Sequence, residues 1–226
     1  MKRLFVTASG TGVGKTLVTA ALAHQLRMAG RSVRPLKPVI SGYTPDSHGK
    51  SDTAMLLDSL GLEHTAAAID RLSPFRFKAP LSPDMAAARE RRAVDFGALL
   101  DACRDAATGP EDALLVEGVG GVMVPLTEDR TVLDWIAALD FPCLLVVGSY
   151  LGTISHTLTA VEALRGRKTD IAAVVISESE ESPVPPEETR DTIQRFLPGI
   201  RLAVIPRLAG DAPWRNAPDL TFLVNG

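Results

Sequence analysis

Apolar residues come in short continuous runs along this chain, separated by longer amphipathic stretches. Continuous apolar runs are typical of strands buried on both faces of a parallel sheet, and apolar residues three or four positions apart predict helices. The strand-like runs are 3–8, 33–38, 113–116, 143–147, 171–176 and 201–205. The helical patterns cover 14–29, 52–60, 84–90, 95–107, 131–139, 153–164 and 187–196, with a short helical piece within 64–72.

Strands and helices alternate, so the sequence predicts one α/β domain over residues 1–226, a parallel sheet with helices on both faces. Residues 73–83 hold too many prolines for a regular element, and the acidic, proline-rich stretch 178–187 predicts a surface loop. Ligands of such folds bind at the carboxyl ends of the strands. Polar or glycine-rich clusters follow several strands, at 9–16, 37–42, 117–121, 148–153 and 206–210.

The first strand leads into a glycine-rich turn, residues 10–14, that is followed by Lys15, Thr16 and a helical pattern. This order is that of a phosphate-binding loop. Glycines let backbone amides approach an anion, and the start of the helix adds free N–H groups and a positive dipole end. Lys15 would reach the β- and γ-phosphates of a nucleotide, and Thr16 would bind Mg²⁺. Ser9 replaces the usual first glycine, and an ordinary strand-to-helix turn is the alternative interpretation.

Two carboxylates and a second lysine could complete an ATP site, because a phosphate loop that acts on ATP needs carboxylates for Mg²⁺. Glu117 ends a buried strand at the ligand-binding edge. Asp52 begins a helix, where it could equally serve only the helix dipole. Lys37 should lie at the same edge and could stabilise a transferring phosphoryl group, unless it is only a solvated strand-end residue. The turn at 118–121 could admit a ligand or only bend the chain.

Composition narrows the classes of function. The net charge of −3 gives no electrostatic case for nucleic-acid binding. No apolar run reaches the roughly 18–20 residues that span a bilayer, and the N-terminal run is too short for a signal peptide. Cys103 and Cys143 lie in a predicted helix and a predicted strand, which favours buried thiols in a reducing cytoplasm. The histidines show no metal-ligand spacing. We therefore expect a cytoplasmic protein without nucleic-acid or membrane partners.

Several sequence blocks, taken together, resemble the dethiobiotin synthetase family. Phosphate loops are common to many ATPases, but Lys-Pro-Val-x-Ser-Gly, Pro-x-Ser-Pro and Glu-Gly-x-Gly-Gly in one chain are far more specific. The blocks follow the order of the family and are Thr11–Thr16, Lys37–Gly42, Ser51–Asp52, Ala79–Pro83, Val116–Gly121, Leu145–Gly148, Leu151–His156 and Ile205–Pro206.

The resemblance implies a reaction and its partners. The family joins 7,8-diaminononanoate and CO₂ into the cyclic urea of dethiobiotin and converts ATP to ADP and phosphate, in the penultimate step of biotin synthesis. A carbamate on one amine attacks the γ-phosphate, and the second amine then displaces phosphate. The resemblance also implies Mg²⁺ and a homodimer with the substrate at its interface.

The resemblance further implies roles for individual residues. The implied catalytic residues are Lys15, Lys37 and Thr11. The implied Mg²⁺ ligands are Thr16, Asp52 and Glu117. The implied ATP-binding residues are Gly12, Val13, Gly14, Lys15, Thr16, Leu17, Glu117, Gly118, Val119, Gly120, Ser177, Pro206, Arg207 and Leu208. The implied diamine-binding residues are Thr11, Lys37, Ser41, Leu151, Gly152, Thr153 and Ser155, with 151–155 reaching the substrate carboxylate from the partner subunit.

Some positions depart from the pattern of the family. Ser177 stands where an adenine-reading Asn is often found, so the sequence predicts relaxed discrimination between bases. Tyr150 and Ser155 stand where Lys and Asn are common, and Gly12 replaces a residue that is often acidic.

Two other classes of protein stay open. Cobyrinate-type amidoligases are usually much longer and carry a glutamine-hydrolysing domain, for which this chain offers no nucleophilic cysteine in a suitable turn. Partitioning-type ATPase switches place a second lysine early in the phosphate loop, where this chain has Ala8, Ser9 and Gly10.

Overall fold

Strands and helices alternate along the chain in the computed structural model, which describes residues 1–224. The strands are β1 (Lys2–Ala8), β2 (Val33–Leu36), β3 (Val39–Ser41), β4 (Phe75–Phe77), β5 (Ala113–Glu117), β6 (Cys143–Val147), β7 (Ile171–Ser177) and β8 (Arg201–Ile205). The helices are α1 (Lys15–Met28), α2 (Asp52–Leu60), α3 (Ala66–Leu72), α4 (Pro83–Arg89), α5 (Phe96–Ala106), α6 (Val132–Leu139), α7 (Thr153–Gly166) and α8 (Pro186–Phe196). Short 3₁₀ helices are Pro45–Lys50, Pro213–Asn216 and Thr221–Leu223.

Six strands form one parallel sheet in the order β2-β5-β1-β6-β7-β8. Residue Val6 of β1 lies opposite Glu117 of β5, so the carboxylate reaches the edge where β1 ends. The phosphate loop, the turn after β5 and the loops after β6, β7 and β8 all follow strand carboxyl ends. The predicted fold class is confirmed, and the strand ends form the ligand-binding edge of such sheets.

Helices cover both faces of the sheet, which explains why the central strands are apolar throughout. Leu4, Val6 and Ala8 pack in a core shared with α1, α2 and α3. Phe5 points to the opposite face, where the core includes residues of α4 to α8. Its ring packs edge-on against that of Trp135, with 4.8 Å between the ring centroids. Cys103 and Cys143 are free and buried, as predicted.

The connection from β1 to α1 needs glycine at two positions. Gly12 and Gly14 have φ angles of 75° and 93°, a left-handed region that other residues rarely adopt. A Cβ atom at Gly14 would also lie 2.5 Å from the Ser177 hydroxyl. The loop therefore brings its backbone close to the end of β7.

The structure corrects the bounds of one predicted strand and adds two strands that were not predicted. The strand predicted over 33–38 ends at Leu36, and a separate strand, β3, begins at Val39. The segment 73–83 was expected to hold no regular element, yet it contains β4, which pairs with β3 in parallel. The prolines flank Phe75–Phe77 without interrupting it, so its amides stay free for pairing, and that of Phe75 bonds the carbonyl of Pro38.

Within residues 1–224, no helix combines the length and the apolar character needed to cross a membrane.

Candidate active site

Lys15 begins α1 directly behind the phosphate loop. Its side chain is buried, and its Nζ atom lies 3.4 Å from the carbonyl oxygen of Gly10. Burial and the charge of nearby Lys37 lower the pKa of Lys15 to about 8, although Glu117 and Asp52 act in the opposite direction. Because this contact of Lys15 is with a neutral carbonyl oxygen, the charge of its ammonium is available to an anionic ligand.

Lys37 follows β2 and is held by three acceptors. Its Nζ atom donates to Glu117 Oε1 at 2.6 Å and to the carbonyl oxygen of Gly118 at 2.9 Å, and it lies 3.0 Å from Asp52 Oδ2. The side chain is only 3% exposed. Burial opposes its charge, but the two carboxylates outweigh burial and raise the pKa of Lys37. Lys37 is therefore no solvated strand-end residue.

Glu117 is fully buried at the end of β5. Its Oε1 atom also accepts a hydrogen bond of 2.7 Å from the Thr16 hydroxyl, whereas its Oε2 atom has no hydrogen-bond partner within residues 1–224. A buried carboxylate oxygen without a partner is costly, which indicates that a cation or donor belongs there. Burial raises the pKa of Asp52, but the Lys37 ammonium outweighs burial, and the pKa is lowered overall.

The donor set suits one ion in particular. Mg²⁺ prefers oxygen ligands and is commonly held by one or two protein carboxylates together with substrate phosphates. Thr16, Asp52 and Glu117 offer such oxygens beside the phosphate loop. Among the residues described, no cluster of three or more His, Cys, Asp or Glu could hold a metal by itself. The residues therefore fit an ion whose remaining ligands come from elsewhere.

Three cavities adjoin one another along the carboxyl edge of the sheet. The phosphate cavity, of about 430 Å³, is lined by Thr11, Gly12, Gly14, Lys15, Thr16, Leu17, Lys37, Ile40, Ser41, Asp52, Met55, Val119 and Gly120. The base cavity, of about 410 Å³, is lined by Gly12, Val13, Gly14, Leu17, Ser177, Glu178, Ser179, Glu180, Pro206, Arg207 and Leu208. The proline-side cavity, of about 360 Å³, is lined by Thr11, Ser41, Pro80, Leu81, Ser82, Pro83, Val119, Gly120 and Val124.

The phosphate cavity lies between the other two, because it shares lining residues with each. Gly12, Gly14 and Leu17 also line the base cavity. Thr11 and Ser41 also line the proline-side cavity. This row of cavities can seat a long ligand with its phosphates in the middle and a second molecule beyond them.

The structure brings together most residues singled out from the sequence. Gly118 and Glu117 are not among the residues that line the three cavities. The Gly118 carbonyl oxygen and the Glu117 carboxylate instead accept hydrogen bonds from Lys37, which lines the phosphate cavity. The stretch 151–155 lines none of the three cavities of its own chain. It joins β6 to α7, with Gly152 in a left-handed conformation before the helix and Leu151 87% exposed.

Sequence reasoning missed several lining residues. Glu178 and Glu180 border the base cavity, although the sequence indicated only an acidic surface loop. Glu178 Oε2 accepts a 2.7 Å hydrogen bond from the backbone amide of Arg207, and thereby joins the loops after β7 and β8. Both residues closely follow a strand of the parallel sheet, and this position was the sequence signal that could have indicated a role in ligand binding. The segment 80–83 lines the proline-side cavity, and its signal in the sequence was the Pro-x-Ser-Pro block, to which no binding role had been given.

Fold and site define a nucleotide-binding α/β protein with a phosphate loop. A family profile described as an AAA domain matches residues 2–212. The ParA family ATPase of Chlorobium tepidum superposes with a TM-score of 0.57 at 16% identity, covering 100% of this chain and 98% of the other. The MinD cell division protein of Aquifex aeolicus gives 0.54 at 16% identity, covering 91% and 82%. At such low identity these likenesses establish the fold alone.

Curated relatives are much closer in sequence. The ATP-dependent dethiobiotin synthetase BioD of Methylobacterium nodulans is 48% identical over 93% of this chain and 95% of its own length. The protein of the same name from Acidiphilium cryptum is 50% identical over 87% of this chain and 89% of its own. This chain belongs to the family of ATP-dependent dethiobiotin synthetases. The resemblance found in the sequence is thus confirmed.

Proposed function

We propose that this protein joins 7,8-diaminononanoate and CO₂ into dethiobiotin and converts ATP to ADP and phosphate. Its family membership supports the reaction. The structural observation that carries the proposal is the phosphate cavity, in which Lys15 and Lys37 lie between a base cavity and the proline-side cavity. A nucleotide on one side and a diamine on the other would meet at these two lysines.

ATP would occupy two of the cavities. Its base would enter the base cavity beside Ser177 and the segment 206–208, and its triphosphate would pass Gly12 and Gly14 into the phosphate cavity. There the amides of the loop, the start of α1 and Lys15 offer positive charge to the phosphate oxygens.

Mg²⁺ would be held by Thr16, Asp52 and Glu117. The unpartnered Oε2 atom of Glu117 supports this assignment, because a carboxylate oxygen in that position suits a cation. When bound, such an ion neutralises charge on the phosphate oxygens.

The diamine would bind in the proline-side cavity, oriented by the hydroxyls of Thr11 and Ser41. One amine nitrogen attacks the carbon of CO₂ and loses a proton, which gives a carbamate. A carbamate oxygen attacks the γ-phosphorus, and the bond to ADP breaks. The second amine then attacks the carbamate carbon, loses a proton, and phosphate leaves as the ring closes.

The two lysines would stabilise different oxygen atoms during phosphoryl transfer. Lys15 would neutralise the phosphate oxygens from the side of the loop. Lys37 would contact the carbamate and the γ-phosphoryl oxygens, where negative charge is redistributed in the transition state. Preorganised cations are most effective in a buried site of this kind, because little reorganisation is needed during the reaction.

The substrate carboxylate would be bound across a homodimer interface. The N-terminal end of α7 would favour an anion through its helix dipole, although the amide of Thr153 itself donates to the carbonyl oxygen of Tyr150. The stretch 151–155 does not reach the cavities of its own chain, so we assign Leu151, Gly152, Thr153 and Ser155 to the partner's site. The use of ATP and small metabolites fits a cytoplasmic enzyme.

Product stoichiometry tests the proposal. ADP release should require both the diamine and bicarbonate, and should equal dethiobiotin formation. A partitioning-type switch would instead hydrolyse ATP slowly in the absence of both. ATP hydrolysis that neither compound accelerates would refute the proposal.

A further inference from the structure

The ammonium of Lys37 lies between Asp52, which lines the phosphate cavity, and Glu117, which is buried beside that cavity. It lies 2.6 Å from Glu117 Oε1 and 3.0 Å from Asp52 Oδ2, with the Gly118 carbonyl oxygen at 2.9 Å. A lysine ammonium has three N–H donors and no acceptor. Each of the three donors therefore has a protein partner already.

With all three donors occupied, Lys37 cannot bind a reacting oxygen directly. To bond a phosphoryl or carbamate oxygen, the ammonium must give up at least one of these partners. The partner that holds it most closely, Glu117, is fully buried, so water cannot easily replace the lost cation. Another cation must compensate Glu117 if Lys37 is to leave.

We propose that Lys37 is the resident counter-ion of Glu117 and Asp52, and that a divalent cation displaces it from them. The inference rests on the proposed function, because it takes these carboxylates as metal ligands. Displacement frees donors of Lys37 for the reacting oxygens. Lys37 thus becomes available only after the metal site is filled. The metal, together with the nucleotide, must therefore bind before the chemical step.

The geometry also explains why the other lysine is not the competitor. Lys15 lies in the same cavity, but its Nζ atom is placed near the carbonyl of Gly10 and not on a carboxylate. Its charge acts on Glu117 from a distance. Lys15 is therefore a matched control, since its removal takes the same charge from the same cavity without vacating the cation position.

Titration with Mn²⁺ in the absence of nucleotide tests the displacement, with free Mn²⁺ measured by electron paramagnetic resonance. We expect Lys37→Met to bind Mn²⁺ about ten- to hundredfold more tightly than wild type, the range of one hydrogen bond to a charged group. Lys15→Met should show only a minor part of that gain. Asp52→Asn should bind more weakly than wild type.

Three results would overturn the inference. No gain in Lys37→Met, with Asp52→Asn still weakened, would refute the displacement but leave the metal ligands in place. Equal gains in Mn²⁺ affinity in Lys37→Met and Lys15→Met would mean that the loss of any positive charge from the cavity causes the gain, without displacement of a particular lysine. Unchanged binding in both Asp52→Asn and Glu117→Gln would instead refute the ligand assignment in the proposed function, and the inference with it.

A second measurement uses wild-type protein and so does not depend on the folding of a variant. With lysine labelled at Cε with ¹³C, Mg²⁺ alone should shift the signal of Lys37 and leave that of exposed Lys50 in place. A Lys37 signal that stays fixed while Mg²⁺ saturates the site would contradict the displacement.

Discussion

The phosphate cavity and the base cavity meet at Gly14, yet they are built from different kinds of groups. At the phosphate cavity, the lining residue Lys37 is buried and bonded to Glu117, which is buried behind it. In the base cavity, the charged side chains are open to water: Arg207 and Glu180 form an ion pair with exposed fractions of 57% and 84%. The charges of Lys37 and Glu117 are thus shielded from solvent, whereas those of Arg207 and Glu180 are screened by water and salt.

The contrast indicates that electrostatic interactions with a ligand are stronger in the phosphate cavity than in the base cavity. A buried ion acts strongly on a nearby charge, because the effective dielectric constant is low. A solvent-exposed group exchanges its partner for water at little cost. Substitutions in the phosphate cavity should therefore change the reaction rate strongly. Replacing the adenine of ATP by another base should change the rate much less.

Removal of the loop lysine should have the largest effect. Lys15→Ala should lower kcat by about 10²–10³, the usual cost of losing one preorganised donor to transition-state charge. Lys50→Ala, which removes an exposed lysine, should leave kcat unchanged. Steady-state kinetics and circular dichroism together separate lost chemistry from lost structure. Wild-type turnover of Lys15→Ala at saturating ATP would contradict the assignment of the phosphate loop.

Lys37→Gln should lower kcat by about 10², and it should change ATP affinity far less. The reason is that charge on the oxygens facing Lys37 grows towards the transition state, so the interaction is stronger there than in the ground state. ATP affinity and the single-turnover rate should be measured on the same preparation. Equal losses in both quantities would mean that Lys37 serves only to bind ATP.

The pH dependence of ATP binding should reflect Lys15. Its pKa of about 8 in the free protein should rise when phosphate binds, because the anion favours the charged form. Affinity should be constant below pH 8, where Lys15 is protonated with or without ATP, and should fall by up to about tenfold per pH unit above it. Calorimetry between pH 7 and 9 measures this, and Lys15→Ala should lose the dependence. A flat wild-type profile would contradict the lowered pKa.

Base discrimination should be the smallest effect. Ser177 offers one hydroxyl on a short arm, where an asparagine could both donate and accept. We expect CTP and GTP to support the reaction, with kcat/KM values measured at saturating diamine. A preference for ATP above about a thousandfold, or roughly 4 kcal/mol, would mean that other groups, such as the backbone near Pro206, read adenine.

Local features of the site could be predicted from the sequence, whereas contacts between distant segments could not. The phosphate loop is contiguous, and the strand that ends at Glu117 is a plain apolar run, so both positions follow from short-range patterns. The hydrogen bond from Lys37 to the Gly118 carbonyl joins segments 81 residues apart and depends on the register between strands. The pairing of β3 with β4 was missed for the same reason, since it unites segments whose prolines conceal short strands.

The most direct test follows the oxygen atoms of CO₂. In a single turnover with ¹⁸O-labelled CO₂, read before the label exchanges with water, a carbamate oxygen that attacks the γ-phosphorus must remain on the phosphate released. We predict that phosphate acquires one ¹⁸O atom for each dethiobiotin formed. Phosphate that carries only oxygen from ATP and solvent would show that water attacks the γ-phosphate, and would contradict the proposal that this site couples ATP cleavage to ring closure.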